Sequence, residues 1–523
     1  MAEGGSDQMS RIIGIDLGTT RSAVAVVNEY GRPEILPNRE GGRVTPSVVM
    51  FDGDSPVVGE IALTSAVVRP LDTVQFVKRQ MGEREWSYRS PSGQSYTPED
   101  VSAIILKRLK DDAEEALGEK ISKAVISVPA YFDDAGRTAT IDAAKIAGLE
   151  VERLLNEPTA AALAYGLDAQ SNETVLVYDL GGGTFDVTIM KLAGGDFTVL
   201  ATDGDRQLGG FDWDNLVMEW LNEQFKAAGG PSLINDPESE QMLRDHAVRA
   251  KHTLSTRDES NVFLAFKGFS EKISISRQMF DEITAPLLNR TARLIEKTLE
   301  DAGLTWAEIN KTILVGGSTR MRQVTELVER LSGKRPSNEA NPDEVVALGA
   351  AIQAALLSGS SGGPQVPIVT AAGDRLTSVN IQDVTAHSLG VVCMTQNPQT
   401  GEWGDANSII LPKGTQIPCH MSESYQTMQN NQTEWECQVT EGEDIDLRYV
   451  RIVGTGSIRL PGRSPAGTEM VVALSYTADG IVNVFAHEAT GRLIGELRID
   501  RQANMSDRDV DQSRRRMEGT EVS

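Results

Sequence analysis

The chain of 523 residues is 40% hydrophobic and 24% charged, a balance typical of a folded protein of several domains. Its 75 acidic residues against 50 basic ones give a net charge of −25, which disfavours broad binding to nucleic acid. The sequence shows no apolar run of about 18 residues, no signal-peptide core and only three cysteines, so we expect no membrane association, no disulfide framework and a cytoplasmic location.

Residues 11–358 alternate between short apolar strands and amphipathic helices, which predicts an α/β domain. A helix is predicted over Val101–Leu117, because Thr97 offers an N-cap, Pro98 suits the first turn and a carboxylate follows at Asp100. The clearest predicted strands are Ile12–Ile15, Ala124–Val128, Val175–Tyr178 and Thr312–Val315.

The alternation of strands and helices ends after residue 358. Residues 359–382 form the predicted linker, since Ser358–Pro364 is rich in glycine and serine. Residues 383–503 contain short strands separated by turn signals such as Asp479-Gly480, which predicts a β-sandwich.

Residues 504–523 open like a helix, with a capping box that starts at Ser506. Only Val510 and Met517 are apolar in this helix, so we expect it to be unfinished or exposed to solvent. A natural short form and a chain cut after Ser523 would look the same in the sequence.

An apolar strand that ends in aspartate and leads into a Gly/Thr turn occurs twice, at Ile12–Thr20 and at Val175–Thr184. Glycine lets successive backbone N–H groups approach a phosphate, threonine hydroxyls add donors, and each aspartate can hold Mg²⁺ through water. Two facing copies therefore predict a clamp around a triphosphate. A third glycine turn, Val315–Arg320, also follows a strand, and Arg320 has a side chain that can stack on a flat ring.

These turns resemble the signatures of DnaK-type chaperones of the heat-shock protein 70 family, and the similarity extends from Arg11 to about Asp500. The resemblance implies an actin-like ATPase domain, a linker, a peptide-binding β-sandwich and normally a helical lid. The segments that carry it are Asp16–Thr20, Asn156–Ala161, Asp179–Asp186 and Val315–Arg320.

The resemblance also implies cofactors and partners. The cofactors are ATP or ADP with Mg²⁺, and K⁺ in some of the family. The partners are extended peptide segments or one dedicated protein client, with a J-domain co-chaperone and a nucleotide exchange factor. Nucleic acid and membranes are not expected to bind.

Catalytic roles follow from the same resemblance. Lys78 would orient the attacking water and Asp186 would lie beside it, whereas Asp16, Glu157 and Asp179 would hold Mg²⁺ through water. Together with these five residues, Thr184 completes the implied catalytic set. The residues implied to bind nucleotide lie in the turns and around the adenosine: Gly18, Thr19, Thr20, Gly181, Gly182, Gly183, Gly209, Gly210, Lys251, Ser255, Gly316, Gly317, Ser318, Arg320 and Asp343.

The adenosine site departs from the family pattern at three positions. Val248, His252 and Phe211 stand where the family usually has charged side chains. The loss of charged hydrogen bonds, worth about 1.5–3 kcal/mol each, predicts weaker or faster-exchanging adenosine binding. The alternative for His252 is an exposed helix residue without a role.

Coupling between the domains is implied at Pro129, Arg137, Arg153 and Asp383. The linker carries Asn380–Gln382 where relatives have leucines, so docking by apolar burial is expected to be weaker by about 2–4 kcal/mol.

The peptide pocket departs most from the family pattern. Met394 and Met428 match the residues that arch over the peptide, and Trp435 matches a small aliphatic pocket residue. An indole at this position would fill much of the pocket, or would belong to the sandwich core. The stretch Gln396–Asn407 is interpreted as an inserted loop.

Three functions remain as hypotheses. The first is an ATP-dependent chaperone that couples hydrolysis to binding of peptide or a dedicated client. The alternative is a nucleotide-switched adaptor, similar to an exchange factor, with little peptide-stimulated turnover. A sugar kinase on the same scaffold is disfavoured, because its second half would be α/β.

Overall fold

The structure is a computed structural model that describes residues 11–166, 172–193, 195–337, 341–360, 368–369, 375–376, 379–396, 401–497 and 504–523. In these ranges, no helix is long and apolar enough to cross a membrane. The helices are α1 (Glu60–Ser65), α2 (Pro98–Leu117), α3 (Asp134–Ile146), α4 (Glu157–Gly166), α5 (Gly210–Ala227), α6 (Pro237–Leu254), α7 (Arg277–Asp301), α8 (Arg322–Ser332), α9 (Val345–Ser360) and α10 (Asp507–Glu518).

The strands divide into a longer series that ends within the predicted linker and a shorter one that begins with the last strand of the linker. The first series is β1 (Ile12–Asp16), β2 (Arg21–Val27), β3 (Pro33–Ile35), β4 (Thr45–Pro46), β5 (Val49–Asp52), β6 (Ser55–Val58), β7 (Thr73–Val74), β8 (Tyr88–Arg89), β9 (Ser95–Tyr96), β10 (Lys123–Val128), β11 (Glu150–Asn156), β12 (Glu173–Leu180), β13 (Phe185–Ala193), β14 (Asp196–Asp205), β15 (Glu259–Phe266), β16 (Phe269–Ser276), β17 (Lys311–Val315), β18 (Ile368–Val369) and β19 (Arg375–Leu376). The second series is β20 (Asn380–Val384), β21 (Leu389–Gln396), β22 (Trp403–Leu411), β23 (Gln416–Ile417), β24 (Cys419–Gln426), β25 (Gln432–Glu441), β26 (Arg451–Ser464), β27 (Glu469–Tyr476), β28 (Val482–Glu488) and β29 (Leu493–Leu497).

The first domain has two lobes, each built on a sheet of the same design. In the first lobe the strand order is β11-β10-β1-β2-β3, with β1 parallel to β10 and antiparallel to β2. In the second lobe the order is β17-β12-β13-β14, with β12 parallel to β17 and antiparallel to β13. The two Asp-Gly-Thr turns are therefore the hairpins β1–β2 and β12–β13. Since α4 and α9 pack on each other and α9 also packs on β1, the lobes share a helical junction.

The local sequence signals act as predicted in this domain. The Thr97 side chain accepts a hydrogen bond from the Asp100 amide at 3.2 Å, and the Asp100 carboxylate accepts one from the Thr97 amide at 3.1 Å. This reciprocal cap fixes the start of α2, whose apolar face is buried in the core of the first lobe. The predicted α/β domain is confirmed.

The second domain is a sandwich of two antiparallel four-stranded sheets, ordered β22-β21-β25-β26 and β24-β27-β28-β29. Alternate residues of the facing strands, such as Val439 and Val472, are completely buried between the sheets. The predicted β-sandwich is confirmed. Gln396–Asn407, expected as an inserted loop, is largely the paired hairpin β21–β22, in which Gln396 faces Trp403. Residues 397–400 of that stretch lie outside the described residues.

The end of the predicted linker is a strand rather than a flexible connection. β20 pairs in parallel with β14 of the second lobe, where Asn380 faces Asp196, and it also pairs with β23 of the second domain. Ile381 packs against the core at the lobe junction, so this linker docks on the sheet edge although Asn380–Gln382 contains no leucine. Helix α9 extends to Ser360, and residues 361–367, 370–374 and 377–378 of the linker lie outside the described residues.

The expectation that the tail is exposed to solvent is wrong. Helix α10 lies against α3, and its Val510 and Met517 are buried in the core of the first lobe. Arg516 donates to Asp100 at 2.6 Å, and Ser523 exchanges backbone hydrogen bonds with Pro56 and Val58. Two apolar residues suffice for this helix because the first lobe supplies the remaining apolar surface.

Candidate functional site

A cleft of about 1170 Å³ lies between the two lobes of the first domain. Its walls are the two Asp-Gly-Thr turns, the turn after β17 and the end of α6, so the structure brings together turns that are distant in the sequence. The predicted site residues that line it are Asp16, Gly18, Thr19, Thr20, Lys78, Glu157, Asp179, Gly181, Gly182, Thr184, Gly210, Lys251, Ser255, Gly316, Gly317, Ser318, Arg320 and Asp343.

One end of the cleft concentrates carboxylates around a lysine. Lys78 is buried, and its Nζ lies 2.5 Å from Oε1 of Glu157. Asp16 accepts a hydrogen bond from Ser127 at 2.8 Å, and Asp186 accepts one from the Tyr131 amide at 3.0 Å. This end therefore concentrates carboxylates that are largely buried.

Burial and mutual repulsion shift the acidities of these groups. Burial and the charge of Glu157 raise the pKa of Asp16 to about 6 and the pKa of Asp186 to about 7. The same two causes raise the pKa of Asp179 well above its usual value. Added positive charge would relieve this repulsion, which suits a divalent cation held through water.

The fit to a triphosphate can be tested at the glycines. A Cβ on Gly182 would lie 2.4 Å from Cγ2 of Thr20, and one on Gly183 would lie 2.6 Å from Cγ2 of Thr19. A Cβ on Gly209 would lie 2.5 Å from the Gly183 backbone. The turns from the two lobes thus approach each other as closely as glycine allows, and any side chain would fill the space between them.

A second observation also fits. The Oδ2 atom of Asp186 is buried and has no hydrogen-bond partner among the residues that the structure describes. Such an acceptor is expected to bind water or ligand. The residues present therefore fit a nucleotide with its metal ion.

The other end of the cleft carries the predicted adenosine residues. Lys251 donates to Asp214 at 2.8 Å and to the Gly210 carbonyl at 3.0 Å. Arg320 is half-exposed, lines the cleft and pairs with Asp343 at 2.7 Å. Asp214 was not predicted from the sequence, because an acidic residue within a helix has no local signature.

The departures from the family pattern also line this end. Val248 and His252 both line the cleft. His252 is exposed there, as the alternative interpretation of this residue expects, and whether it has a role stays a prediction. Phe211 contacts Phe76 across the lobes, with ring centroids 4.6 Å apart. Phe76 was missed in the sequence, where a single aromatic residue two positions before Lys78 gives no signal.

The predicted coupling residues lie at the contact between the two domains. Arg137 is buried and donates to Asn156 at 2.7 Å and to the Asp479 carbonyl of the sandwich at 3.3 Å. The Asp479 carboxylate accepts a hydrogen bond from the Leu154 amide at 3.1 Å and lies 3.5 Å from Arg153.

The remaining coupling residues lie beside this contact. Asp383 is buried and accepts a hydrogen bond from Thr159 of α4 at 3.1 Å. Pro129 begins the turn that leads to Arg137, and its carbonyl accepts a hydrogen bond from the Phe132 amide at 3.1 Å.

Charged contacts that the sequence did not reveal add to this interface. Asp133, the N-cap of α3, pairs with Arg206 of the second lobe and with Arg451 of the sandwich. Lys413 of the sandwich pairs with buried Asp203 at 2.8 Å. The sandwich is therefore bound to both lobes by ion pairs.

Two titratable groups at this interface respond to pH in opposite directions. His387 is enclosed beside Tyr131, and burial lowers its pKa below 6.5, although Asp133 and Glu443 oppose the shift. Burial, together with Asp133 and Asp134, raises the pKa of Glu441 well above 4.5, although Arg451 and Arg206 oppose it. Below about pH 6.5 the separated domains bind more protons at His387 than the docked domains do, so falling pH weakens docking through His387. Above about pH 4.5 the docked domains bind more protons at Glu441, so falling pH strengthens docking through Glu441.

We expect the docking affinity of His387→Gln and that of Glu441→Gln to change with pH in opposite directions. Between about pH 7.5 and pH 5.5, docking should strengthen with falling pH in His387→Gln and weaken in Glu441→Gln, by at most about 1.4 kcal/mol per pH unit for one proton. Energy transfer between one fluorophore in each domain measures the docked fraction. Parallel profiles in the two variants would contradict the assignment.

The predicted peptide-binding residues occupy different environments. Met394 and Met428 are 48% and 54% exposed, whereas Trp435 is half-buried and packs against the sandwich core. An arch over a peptide at Met394 and Met428 therefore stays a prediction.

The comparisons with known proteins agree with this geometry. The model of the family described as Hsp70 protein matches residues 12–522. The chaperone proteins DnaK of two strains of Thermus thermophilus are each 41% identical to the chain, in alignments that cover 98% of the chain and 86% of each relative.

Proposed function

Because the chain belongs to the Hsp70 family, whose members are ATPases, we propose that it hydrolyses ATP to ADP and phosphate in the lobe cleft. We propose further that hydrolysis is coupled to the binding of extended peptide segments, or of one dedicated client, by the β-sandwich. The observation that carries this proposal is buried Lys78, paired with Glu157 at the foot of a cleft whose phosphate side consists of glycine turns.

Different side chains would have different roles in phosphoryl transfer. Mg²⁺ bound with ATP would neutralise phosphate charge and hold ordered water beside Asp16, Glu157 and Asp179. Lys78, held in place by Glu157, is suited to orient the attacking water, and the free Oδ2 of Asp186 is suited to accept its hydrogen bond.

Donors that the chain itself supplies surround the phosphates. The hydroxyls of Thr19, Thr20 and Thr184 border the same space, and the Gly181 amide closes the second turn onto the Thr184 carbonyl at 3.0 Å. Positioning of this kind and neutralisation of charge account for most of phosphoryl-transfer catalysis.

A short path connects the reacting end to the sandwich. Asp186 binds the Tyr131 amide, and the Tyr131 carbonyl lies 3.3 Å from Nε2 of His387 in the second domain. Arg137, in the helix that follows Tyr131, contacts Asp479 of the sandwich. We propose that a change at Asp186 on hydrolysis alters docking through this path. A J-domain partner would act next to it, at Arg153, and an exchange factor would act on the lobes.

The proposal is tested by steady-state hydrolysis of ATP with and without a saturating extended apolar peptide. Turnover that the peptide stimulates is the expected result. Turnover that no peptide stimulates would favour the alternative, a nucleotide-switched adaptor with one dedicated partner. The half-buried Trp435 also favours this alternative. The absence of both binding and hydrolysis of ATP would contradict the proposal.

Trp435→Val should raise the affinity for an extended apolar peptide by about tenfold, because it frees space for one side chain at the edge of the sandwich core. Fluorescence anisotropy of a labelled peptide measures the change. Trp403→Val, which alters an exposed tryptophan on the same sheet, is the matched control. If Trp435→Val folds normally and gains no affinity, the indole is a core residue alone.

A further inference from the structure

We propose that Phe76 and Phe211 form an aromatic latch that joins the two lobes beside the nucleotide cleft and slows the release of nucleotide. The inference rests on the proposed function, since it takes nucleotide as the ligand. It also reverses the expectation from the sequence, in which Phe211 stands where a charged residue is usual and predicts faster exchange.

The two rings come from opposite lobes. Phe76 directly precedes the short 3-10 helix that carries Lys78, in the first lobe, and Phe211 lies in the first turn of α5, in the second lobe. Both rings line the cleft, with centroids 4.6 Å apart and planes at 59°. Aromatic pairs at this separation attract each other beyond the effect of burial.

Two arginines flank the rings. The Arg79 guanidinium lies 4.6 Å from the centroid of Phe211 and is itself held by Gln207 and Asp212 of the second lobe. The Arg244 guanidinium, of the second lobe, lies 4.7 Å from Phe211.

Arg244 reaches both rings, since it also lies 5.8 Å from Phe76, and Asn215 fixes it at 2.9 Å. Cation–π contacts therefore connect the lobes in both directions, because Arg79 reaches from the first lobe and Arg244 from the second.

The backbone at Phe76 indicates that the ring position is imposed by its surroundings. Phe76 has φ of 59°, in the left-handed region that a side chain rarely adopts. Such a conformation persists where surrounding contacts hold it. Next to it, Gln75 donates to Gln241 of the second lobe at 3.0 Å, which adds a polar bridge at the same place.

The contacts of Phe76 with Phe211 and Arg244 must break when the lobes separate at this side of the cleft. The contacts of Arg79 and Gln75 with the second lobe must break as well. The latch therefore adds to the barrier for opening and should lower the rate of nucleotide release. Because both rings are only half-buried, truncating them should leave the fold intact.

The experiment preloads the full chain with N-methylanthraniloyl-ADP and Mg²⁺ and follows its displacement by excess ADP in a stopped-flow fluorimeter. Phe76→Ala and Phe211→Ala should each release nucleotide about 5- to 10-fold faster than the unaltered chain. The double variant Phe76→Ala/Phe211→Ala should be faster than either single variant but by less than the product of their effects, since the contact between the two rings is lost in each single variant. Phe211→Tyr, which keeps the ring, and Phe263→Ala, which alters an exposed ring on β15, are the controls.

Each outcome decides between the proposals. If the unaltered chain binds the labelled ADP and every variant releases it within twofold of its rate, the latch is overturned and the proposed function stands. If the unaltered chain does not bind it at all, both are overturned. Arg244→Ala, which loosens the latch without altering a ring, should show an intermediate rate, and thermal unfolding of each variant verifies its fold.

Discussion

Lys78→Ala is expected to reduce ATP turnover by a factor of about 10²–10⁴ while ATP still binds. The lysine ammonium is buried beside Glu157, at the end of the cleft where burial and mutual repulsion raise the pKa values of Asp16, Asp179 and Asp186. Without it, the attacking water loses its positively charged partner and the negative end of the cleft becomes more repulsive to phosphate. Single-turnover hydrolysis measures the rate of the chemical step. A fluorescent ATP analogue measures binding separately.

The variant also leaves Glu157 without its partner, and breaking a buried ion pair costs about 3–5 kcal/mol. The double variant Lys78→Ala/Glu157→Gln removes both charges and should recover much of the thermal stability without recovering turnover. Lys272→Ala, which alters an exposed lysine on β16, is the matched control. Turnover of Lys78→Ala within threefold of the unaltered chain would exclude the lysine from the chemistry.

The phosphate side of the cleft could be predicted because its signals are local. A strand that ends in aspartate and a glycine turn dictates a hairpin, and the repetition of that pattern implied two facing copies, as β1–β2 and β12–β13 show. The Thr97 cap likewise needs only four consecutive residues.

The contacts that join lobes and domains could not be predicted in the same way. The partners in these contacts are far apart in the chain, as in the pairs Phe76–Phe211 and Asp133–Arg451. The sequence around one partner contains no pattern that identifies the other. Helix α10 seemed too polar to bury because its partner surface, on the first lobe, is not encoded in its own sequence. Tertiary context decides such cases.

Asp479→Ala is expected to weaken docking of the sandwich by about 1–3 kcal/mol, or roughly 5- to 150-fold in the docking equilibrium, and to abolish peptide stimulation of the ATPase. The Asp479 carboxylate accepts the Leu154 amide of β11, and its removal leaves that N–H without its acceptor at the domain contact. Hydrogen–deuterium exchange of residues 150–156 and 477–482, measured with ATP bound, should then increase in both segments together.

Asp479→Asn separates the hydrogen bond from the ion pair. The amide oxygen can still accept the Leu154 N–H, whereas the charge that faces Arg153 at 3.5 Å is lost. Since both side chains of this ion pair are partly exposed, its contribution is small, and the asparagine variant should dock almost as well as the unaltered chain. If both variants lose stimulation equally, the charge rather than the hydrogen bond holds the domains. If neither loses it, the Asp479 side chain is not needed for coupling, and Arg137, the ion pairs of Asp133 and the contact between Tyr131 and His387 carry it instead.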